Sequence, residues 1–582
     1  MANLLPDVVG RSPVSFLVGV GAAVLALLLW ILFLPPFSLV RGGGDRQTAG
    51  DGYSVKVENK VPAPPVGLGP ATKYYDIFLR KSASGEVSIS LPLVDPKGST
   101  RGLSFYTYQG GKWQLVVPAN ATPDGVSAQG QIQSLPNNLV VFRRLSNAPQ
   151  VMGALPSGKS LNQDAARQIT ILNPSGFSPS ADGSVTGESP PAIPGAQYDV
   201  VPAVQAPKGG PGAAAVGQIL AAQDKQAAHV AALSALAKRP GNAGIELEYT
   251  AVDPQQRQAF VDFAAALAQE LHKNRQLLTL ELPAPTLSGN GWNTGAYDWA
   301  ALAKSADYVK LLLDADESVY RKQMPDLLKY LTGTAGVDPH KLILVTSAYS
   351  VEKSDQGVAS LTRLSALSIA SQIQVQNGEQ AVAGGNVTFA AANLNRDAGA
   401  SGLIWDSTTA TVSFVYKVGD ATHVVWIANE YSEGFKLDYV RLYRLGGVAV
   451  DDASADAALG NPWPAIAQYN ATGAPPLLQP NGQLLAPSWA VDGKPLDTGG
   501  RAVVTWPAPP QPGDHAVSLV VSDGLIRVIA TASFTLRAGA TAGSTPAPGA
   551  IVAVSATPRA GAPTAAAPIR PAVTASAPTA TR

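Results

Sequence analysis

The sequence predicts a multidomain α/β plus all-β protein: a TIM (β/α)8 barrel flanked by a small β domain and an Ig-like β-sandwich, with an N-terminal transmembrane helix. Three observations predict this organisation. A run of 21 uncharged residues lies near the N-terminus, strands alternate with helices between about 150 and 472, and short apolar–polar alternations flank that region. At 582 residues, the chain is long enough for three or four domains.

Composition excludes several classes of function. Lys plus Arg and Asp plus Glu each number 42, so the formal net charge is zero and we expect no nucleic-acid partner. The chain has no cysteine, which excludes disulfides and thiolate metal sites. Its five histidines never fall at ligand spacing, so the sequence predicts no metal and no cofactor.

The uncharged run is residues 14–34, bounded by Pro13 and Pro35. A helix of that length spans roughly 30 Å, the thickness of a bilayer core. No small-residue cleavage site follows, which favours a retained anchor over a cleaved signal peptide. We therefore expect a single-pass cell-membrane protein with residues 1–13 in the cytoplasm. The flanking arginines do not decide the orientation, and the C-terminal part is placed outside because its architecture is typical of extracellular proteins.

Further boundaries follow from changes in pattern. Residues 35–69, rich in Gly and Pro, predict a linker, and 70–148 predict the small β domain with a hairpin turn at Gly110-Gly111. The barrel is expected over 150–472 and the Ig-like sandwich over 475–538. Residues 539–582 are Ala-, Pro- and Thr-rich, which predicts a disordered tail.

The barrel prediction depends on about eight strand–helix units. The expected strands are QITIL, QYDVVPAVQ, GIELEY, LLTLEL, YVKLLL, KLILVTS, SGLIWDS and GGVAV. Helices are expected over 214–238 and 253–274, the second with Asp253 as its N-cap. An open doubly wound sheet is the alternative, but no Gly-rich phosphate turn follows its first strand.

The strand GIELEY carries two carboxylates, Glu246 and Glu248. Because side chains alternate along a strand, positions 246, 248 and 250 share one face and lead to the carboxyl end, where barrel active sites lie. Glycosidases stack carboxylates in this way so that one has a raised pKa and acts as an acid.

This stretch resembles glycoside hydrolase family 18, especially its spore-cortex and peptidoglycan-associated branch. The family strand has the pattern D-G-I-D-I-D-x-E; Gly244 and Ile245 match its Gly-Ile, and Glu246 and Glu248 fall on its second and third Asp. A Pro-containing turn, an Arg and a helix follow in AVDPQQRQAF. Two later segments, GWNTGAYDWAALAKSADYVKLLL and VVWIANEYSEGFKLDYVRLYRLGGVAV, are similar to the family in the same order, so the resemblance covers roughly 160–465.

The departures from the family pattern concern its mechanism. The first Asp falls on Ala243 and the catalytic Glu on Thr250, the family's substrate-positioning Tyr falls near Asp314, and its last-strand Trp is replaced around Val450 and Asp451. The resemblance therefore implies that most of the substrate-assisted mechanism is lost. Shifting the alignment by two residues would make Glu248 the acid, but it loses the Gly-Ile match.

Glu248 and Glu246 are the catalytic candidates; alternatively, both are strand-end carboxylates paired with a Lys or Arg. Candidate substrate-binding residues are Trp292, Tyr297, Trp299, Asp314 and Trp405. Aromatic rings stack on sugars, although each of these rings could instead belong to a core.

The resemblance implies a non-catalytic protein that binds an N-acetylated polysaccharide such as peptidoglycan or a chitin-like glycan. One alternative is an active glycosidase that uses Glu248. Another is a protein-interaction scaffold that contacts envelope proteins through its β domains.

Overall fold

The computed structural model describes residues 46–48, 53–58, 61–65, 68–79, 87–96, 103–145, 148–188, 198–289, 291–394 and 402–539. They form two compact units, the first made chiefly of residues up to Ala148 and the second chiefly of residues from Pro149 onward. The predicted disordered tail lies outside the described residues, apart from residue 539 at its start.

The first unit is a β domain. Its strands are β1 (Arg46–Thr48), β2 (Tyr53–Glu58), β3 (Leu68–Pro70), β4 (Tyr74–Leu79), β5 (Val87–Pro92), β6 (Ser104–Gln109), β7 (Lys112–Pro118), β8 (Asn120–Ala121), β9 (Ser127–Ile132) and β10 (Asn138–Arg144).

One sheet of this unit has the order β1-β2-β4-β10-β6-β7 and the other β5-β9-β8. The turn between β6 and β7 is Gly110-Gly111, with positive φ at both residues, as a two-residue hairpin turn requires. Residues 53–58, which fall in the predicted linker, form strand β2 and pair with β4.

The second unit contains the remaining elements. Up to residue 346 these are β11 (Gln150–Leu155), α1 (Gln163–Gln168), β12 (Ile171–Pro174), β13 (Phe177–Pro179), β14 (Val185–Gly187), β15 (Asp199–Val200), β16 (Ala203–Gln205), α2 (Pro211–Leu220), α3 (Gln223–Ala237), β17 (Gly244–Glu248), α4 (Arg257–His272), β18 (Leu277–Pro283), β19 (Thr286–Ser288), β20 (Gly291–Asn293), α5 (Trp299–Ser305), β21 (Tyr308–Leu312), α6 (Glu317–Lys329) and β22 (Leu342–Thr346).

The elements after β22 are β23 (Ser350–Ser354), β24 (Gly357–Leu361), α7 (Arg363–Ala370), β25 (Ile373–Gln376), β26 (Asn386–Ala391), β27 (Ile404–Asp406), β28 (Thr411–Val418), β29 (Ala421–Ile427), α8 (Glu430–Leu442), β30 (Gly447–Val450), α9 (Trp463–Thr472), α10 (Gly482–Leu485), β31 (Ser488–Val491), β32 (Lys494–Leu496), β33 (Val503–Pro507), β34 (Gly513–Ser522) and β35 (Arg527–Leu536). Short helical turns lie at Pro254–Gln256, Tyr330–Thr334, Pro339–Lys341 and Gly378–Gln380.

Parallel strands form a curled, TIM-barrel-like sheet, which confirms that part of the predicted fold. Its order is β14-β13-β16-β17-β18-β21-β22-β30-β11-β12-β15, in which β14 pairs antiparallel with β13. Strands β15 and β16 are consecutive along the chain. Val201 donates from its backbone N–H to Leu172 across 2.8 Å, and Val200 accepts from Ala243 at 2.8 Å, so this segment bonds to strands on both sides.

Three elements of this unit differ from the prediction. Strand β11 was not among the expected strands, and Ile404–Asp406, within the expected strand SGLIWDS, does not join the barrel. It lies at the edge of an antiparallel sheet of order β24-β23-β29-β28-β27. The strands of this sheet come from the segment of chain between β22 and α8. A short apolar run cannot by itself indicate which sheet it enters.

The single helix predicted over 214–238 is two helices, α2 and α3.

The predicted Ig-like sandwich is corrected as well. Strand β33 pairs with β26, which comes from the segment before α8, in a sheet of order β25-β26-β33. Strands β31, β32, β34 and β35 form a second sheet. Phe389 of β26, Trp489 of β31 and Phe534 of β35 share one hydrophobic core. Residues 475–538 therefore do not bury their apolar faces alone, because residues 366–427 supply the other part of that core.

Within the described part of the chain, no helix is long and apolar enough to cross a bilayer. The longest helix described, α4, has 16 residues, which corresponds to about 24 Å against roughly 30 Å for a bilayer core. This finding overturns the prediction of a single-pass membrane protein with an extracytoplasmic C-terminal part. The segment on which that prediction rested, 14–34, lies outside the described residues.

Candidate functional site

Strand β17 places its side chains alternately on two faces, as predicted. Tyr249, just after the strand, is buried, and its hydroxyl lies 2.5 Å from Nε2 of His229 in helix α3. Its neighbours of the same parity, Ile245 and Leu247, are also buried. Glu246 and Glu248 therefore lie on the opposite face, with the side chains of the neighbouring parallel strands.

A buried ion pair lies at the centre of this face. Nζ of Lys310, in β21, donates to Oε1 of Glu246 across 2.6 Å. The relative exposure of the two side chains is 1% and 0%. Nζ also lies 3.6 Å from Oε2 of Glu281, in β18, whose side chain is 13% exposed. One ammonium thus serves carboxylates from two other strands.

Glu248 occupies the outer end of the same face and is half-buried. Nε2 of Gln205, in β16, donates to its Oε2 across 2.6 Å. One carboxylate oxygen each from Glu246, Glu248 and Glu281 lies within 4.8 Å of the others. We call Glu246, Glu248, Glu281 and Lys310 the strand-end cluster.

The cluster has three carboxyl groups and one ammonium, and the pKa values of Glu246, Glu281 and Lys310 are all raised. Burial raises the pKa of Glu246 well above its ordinary value, although the Lys310 ammonium acts in the opposite direction. Burial and then the charge of Glu248 raise the pKa of Glu281 to about 7. Burial would lower the pKa of Lys310, but Glu246 and Glu281 outweigh it and raise that pKa. Lys310 therefore stays charged, and Glu281 exchanges its proton near neutral pH.

A second polar group follows the last barrel strand. Asp451 accepts from Oγ of Ser347 at 2.6 Å and from the backbone N–H of Ala348 at 2.8 Å. Burial raises its pKa to about 6, and its charge in turn helps to raise the pKa of Glu281. Asp451 therefore adds negative charge beside the strand-end cluster.

Helix α8 contributes a further buried carboxylate to this side of the barrel. Glu433 accepts from Oγ1 of Thr346 at 3.2 Å, and burial raises its pKa to about 7. Lys436, on the same helix, donates to Oε1 of Glu317 at 2.8 Å.

The position expected for the catalytic acid is at the turn after β17. Thr250 occupies it and is half-buried. Asp253 accepts from the backbone N–H of Gln255 at 2.8 Å, which confirms it as the predicted N-cap of the following helical turn. Arg257 donates to Oγ1 of Thr294 at 2.8 Å and so holds the loop that leads to α5.

Two of the predicted sugar-stacking rings are core residues. The relative exposure of Tyr297 is 6% and that of Trp299 is 1%. The Tyr297 hydroxyl donates to the backbone carbonyl of Tyr249 at 2.9 Å and accepts from the N–H of Val252, so it supports the turn after β17. Burial leaves neither ring a free face for a sugar, and the stacking prediction is revised for both.

The other three predicted binding residues lie in β20, in β27 and in the loop after β21. Trp292, in β20, is half-buried and stacks on Tyr330 with ring centroids 6.0 Å apart. Trp405, in β27, is half-buried and packs on Phe435, with centroids 5.7 Å apart. Asp314 is exposed in the loop after β21 and accepts from the N–H of Asp316 at 3.2 Å.

Sequence reasoning missed Glu281 and Lys310. Each was visible as a single charge inside an otherwise apolar strand, LLTLEL and YVKLLL. A charge in such a strand is costly unless it is paired, so two of them on consecutive barrel strands indicate a shared buried site. The sequence also allowed a structural role in which Glu246 pairs with a lysine or arginine. The ion pair with Lys310 is such a contact.

Comparison with known proteins supports the family resemblance. Residues 209–456 match the model of glycosyl hydrolases family 18. This range includes every member of the strand-end cluster, and the match confirms the resemblance predicted from the motifs.

Individual relatives are more distant. The uncharacterized glycosylase YvbX of Bacillus subtilis (strain 168) is 24% identical over 239 residues, which are 39% of this chain and 60% of that protein. A chitinase of Chromobacterium violaceum ATCC 12472 is 23% identical, with a TM-score of 0.43 over 55% of this chain and 98% of that chain. The spore cortex-lytic enzyme SleL of Bacillus megaterium QM B1551 is 17% identical, with a TM-score of 0.43 over 58% of this chain and 78% of that chain.

Proposed function

We propose that this chain, which contains a glycoside hydrolase family 18-like domain, binds an N-acetylated polysaccharide of the peptidoglycan or chitin type without hydrolysing it. One observation carries the proposal. Lys310 neutralises Glu246 by a buried contact of 2.6 Å, while the position of the family's acid is a threonine, Thr250.

Hydrolysis of a glycoside needs a group that can protonate the leaving oxygen. The hydroxyl of Thr250 has a pKa far above that of a carboxylic acid and supplies no useful proton. In the family, the nucleophile is the acetamido oxygen of the substrate, so the missing acid cannot be replaced by a protein nucleophile. The absence of an acid at position 250 therefore supports a role in binding.

The ion pair restricts Glu246 further. Its carboxylate is fully buried and receives a hydrogen bond from a cation that is itself buried. A carboxylate held in this way is not free to reorient toward a substrate or to exchange a proton with it. Glu246 then serves the fold of the barrel end, and Glu248 and Gln205 are the polar groups that a glycan can reach.

A second candidate function is hydrolysis with Glu248 and Glu281 as the pair of carboxyl groups. Their closest oxygens lie within 4.8 Å of each other, close to the separation of about 5–5.5 Å in retaining glycosidases. Burial and Glu248 raise the pKa of Glu281 to about 7, which suits a general acid. This candidate replaces the acid of β17 by one from the adjacent strand.

A binding experiment tests the proposal. The full chain is incubated with insoluble chitin and with purified peptidoglycan, and the fraction left in solution is measured. We expect depletion by at least one polymer, weakened in Gln205→Ala and unchanged in Glu379→Gln, an exposed carboxylate outside the barrel strands. Retention of all the protein in solution with both polymers would contradict the proposal.

A further inference from the structure

The strand-end cluster has fewer positive than negative groups. Glu246, Glu248 and Glu281 place carboxylate oxygens within 4.8 Å of one another, and Lys310 is the ammonium that contacts this set. Asp451 adds a carboxylate whose charge acts on Glu281. The arrangement has a net negative charge even with one shared proton, so it favours a cation.

An independent observation points to a missing donor. Oε2 of Glu246 has no hydrogen-bond partner within the described residues, although this side chain is fully buried. The register partner of Glu246 in β18 is Thr279, whose hydroxyl is also fully buried and unpartnered among those residues. A buried carboxylate oxygen without a donor is costly, so the cluster favours a ligand that brings N–H donors.

The solvent exposure of the cluster residues increases toward the carboxyl ends of the strands. Glu246 and Lys310 are enclosed, whereas Glu281 is 13% exposed and Glu248 is half-buried. The last two lie toward the carboxyl ends of β18 and β17. A ligand that enters at this end meets Glu248 and Glu281 first.

We propose that this end of the barrel recognises the free amino group of a de-N-acetylated hexosamine, whose ammonium is held between Glu248 and Glu281. The inference rests on the proposed glycan-binding function and adds that, within an otherwise N-acetylated polymer, the site prefers a sugar that has lost its acetyl group. An ammonium carries the positive charge that the cluster lacks and offers several N–H donors. An acetamido group is neutral and offers a single N–H.

A divalent metal ion fits the cluster less well than an ammonium. Lys310 Nζ already lies 2.6 Å from Glu246 and 3.6 Å from Glu281, so a metal bound to the same oxygens would lie close to a fixed positive charge. Repulsion between these cations is strong in a buried site. A sugar ammonium can remain at the more exposed oxygens of Glu248 and Glu281.

Calorimetric titration of the full chain with matched oligosaccharides of glucosamine and of N-acetylglucosamine tests the inference. At a pH just below neutrality, we expect glucosamine oligosaccharides to bind about tenfold more tightly, because one charge-assisted hydrogen bond is worth that ratio. The preference should shrink as salt is added. Titrations with CaCl2 and MgCl2 are run in parallel, and a metal ion that binds at the cluster and competes with glucosamine would overturn the inference.

Variants of nearly the same shape, with glutamine in place of glutamate, test which carboxylates hold the ammonium. Glu281→Gln and Glu248→Gln should each reduce about tenfold the ratio of the affinity for the glucosamine oligosaccharide to that for the N-acetylglucosamine oligosaccharide. Glu379→Gln makes the same chemical change at an exposed site and should leave the preference intact. Far-ultraviolet circular dichroism and melting curves establish that each variant is folded. The comparison of glucosamine with N-acetylglucosamine oligosaccharides uses the parent chain and needs no variant.

The outcomes separate this inference from the function on which it rests. Equal binding of both oligosaccharides, or tighter binding of the N-acetylated one, overturns the inference and leaves glycan binding standing. Binding of neither oligosaccharide or polymer overturns both. A preference for glucosamine that survives in Glu248→Gln and Glu281→Gln overturns the placement of the ammonium.

Discussion

Lys310 donates from Nζ to Oε1 of Glu246 across 2.6 Å, and both side chains are almost completely buried inside the barrel-like sheet. The pair joins β21 to β17 across the intervening strand β18. An ion pair in this position neutralises one motif carboxylate and leaves Glu248 and Glu281 as the partly exposed acidic groups of the cluster.

Replacing Lys310 by Met should destabilise the protein strongly. The change leaves Glu246 buried without its cation, and breaking a buried pair from one side costs about 3–5 kcal/mol. Urea unfolding of Lys310→Met, Glu246→Gln and the double variant measures the effect. The double variant should recover most of the loss, whereas strictly additive losses would show that the two side chains do not interact.

The stability of the protein should fall as pH rises from about 4 to about 7. Burial raises the pKa of Glu281 and Glu433 from 4.5 to about 7 and that of Asp451 from 3.8 to about 6. In that window these three carboxyls bind more protons in the folded chain than in the unfolded chain, so their contribution to the free energy of unfolding decreases with increasing pH.

Unfolding free energies at several pH values check this slope in the parent and in Glu281→Gln and Glu433→Gln. Both variants should flatten the slope, and Glu379→Gln should preserve it. A parent whose stability increases with pH across this range would show that these carboxyls are not held in their protonated form.

Removing Arg363 should loosen the C-terminal hairpin of β34 and β35. Nε of Arg363, in α7, donates to Oδ2 of Asp523 at 2.7 Å, and both side chains are almost completely buried. Asn429 also donates to this oxygen, at 3.1 Å. Arg363→Ala should lower the free energy of unfolding by about 3–5 kcal/mol.

Arg441→Ala is the matched control for Arg363→Ala, because Arg441 pairs with Asp438 while 44% exposed. An exposed pair of this kind contributes about 0–1 kcal/mol. Chemical denaturation compares the two variants, and equal losses would mean that Arg363 does not fix the hairpin.

A chain truncated after Gly473 should fail to fold cooperatively. The truncation removes β31–β35 and exposes Phe389, whose ring centroid lies 5.3 Å from that of Phe534 and 6.2 Å from that of Trp489. Loss of soluble expression or binding of a hydrophobic dye would record the exposure, and a chain ending at Gly539 is the control. A soluble, cooperatively melting fragment would instead support a separate C-terminal domain.

The local pattern of the sequence predicted most individual elements but not their partners. The alternation in GIELEY identified β17 and the shared face of Glu246 and Glu248 because a strand has a fixed period of two. The same reasoning identified strands after residue 475, yet it could not show that β33 pairs with β26, because that pairing joins residues far apart in the chain. An Ig-like sandwich was therefore assigned to strands that complete a core begun by another segment.

The site was predictable only where its residues lie on one strand. The motif located Glu246, Glu248 and Thr250, since these three positions lie on one strand. Glu281 and Lys310 reach the cluster from β18 and β21, and only the order of the strands brings them together. Tyr297 and Trp299 were proposed as ligand contacts because their surroundings in the sequence are polar, but both rings are buried, that of Trp299 in the first turn of α5.

A turnover measurement decides whether the barrel binds glycan without cleaving it. The full chain is incubated with chitin oligosaccharides and peptidoglycan fragments, alongside Thr250→Glu, Glu248→Gln and Glu281→Gln, and the products are separated by mass. We predict no product from the parent chain. Cleavage by the parent that disappears in Glu248→Gln or Glu281→Gln would contradict the proposed function and establish hydrolysis by that pair of carboxyl groups.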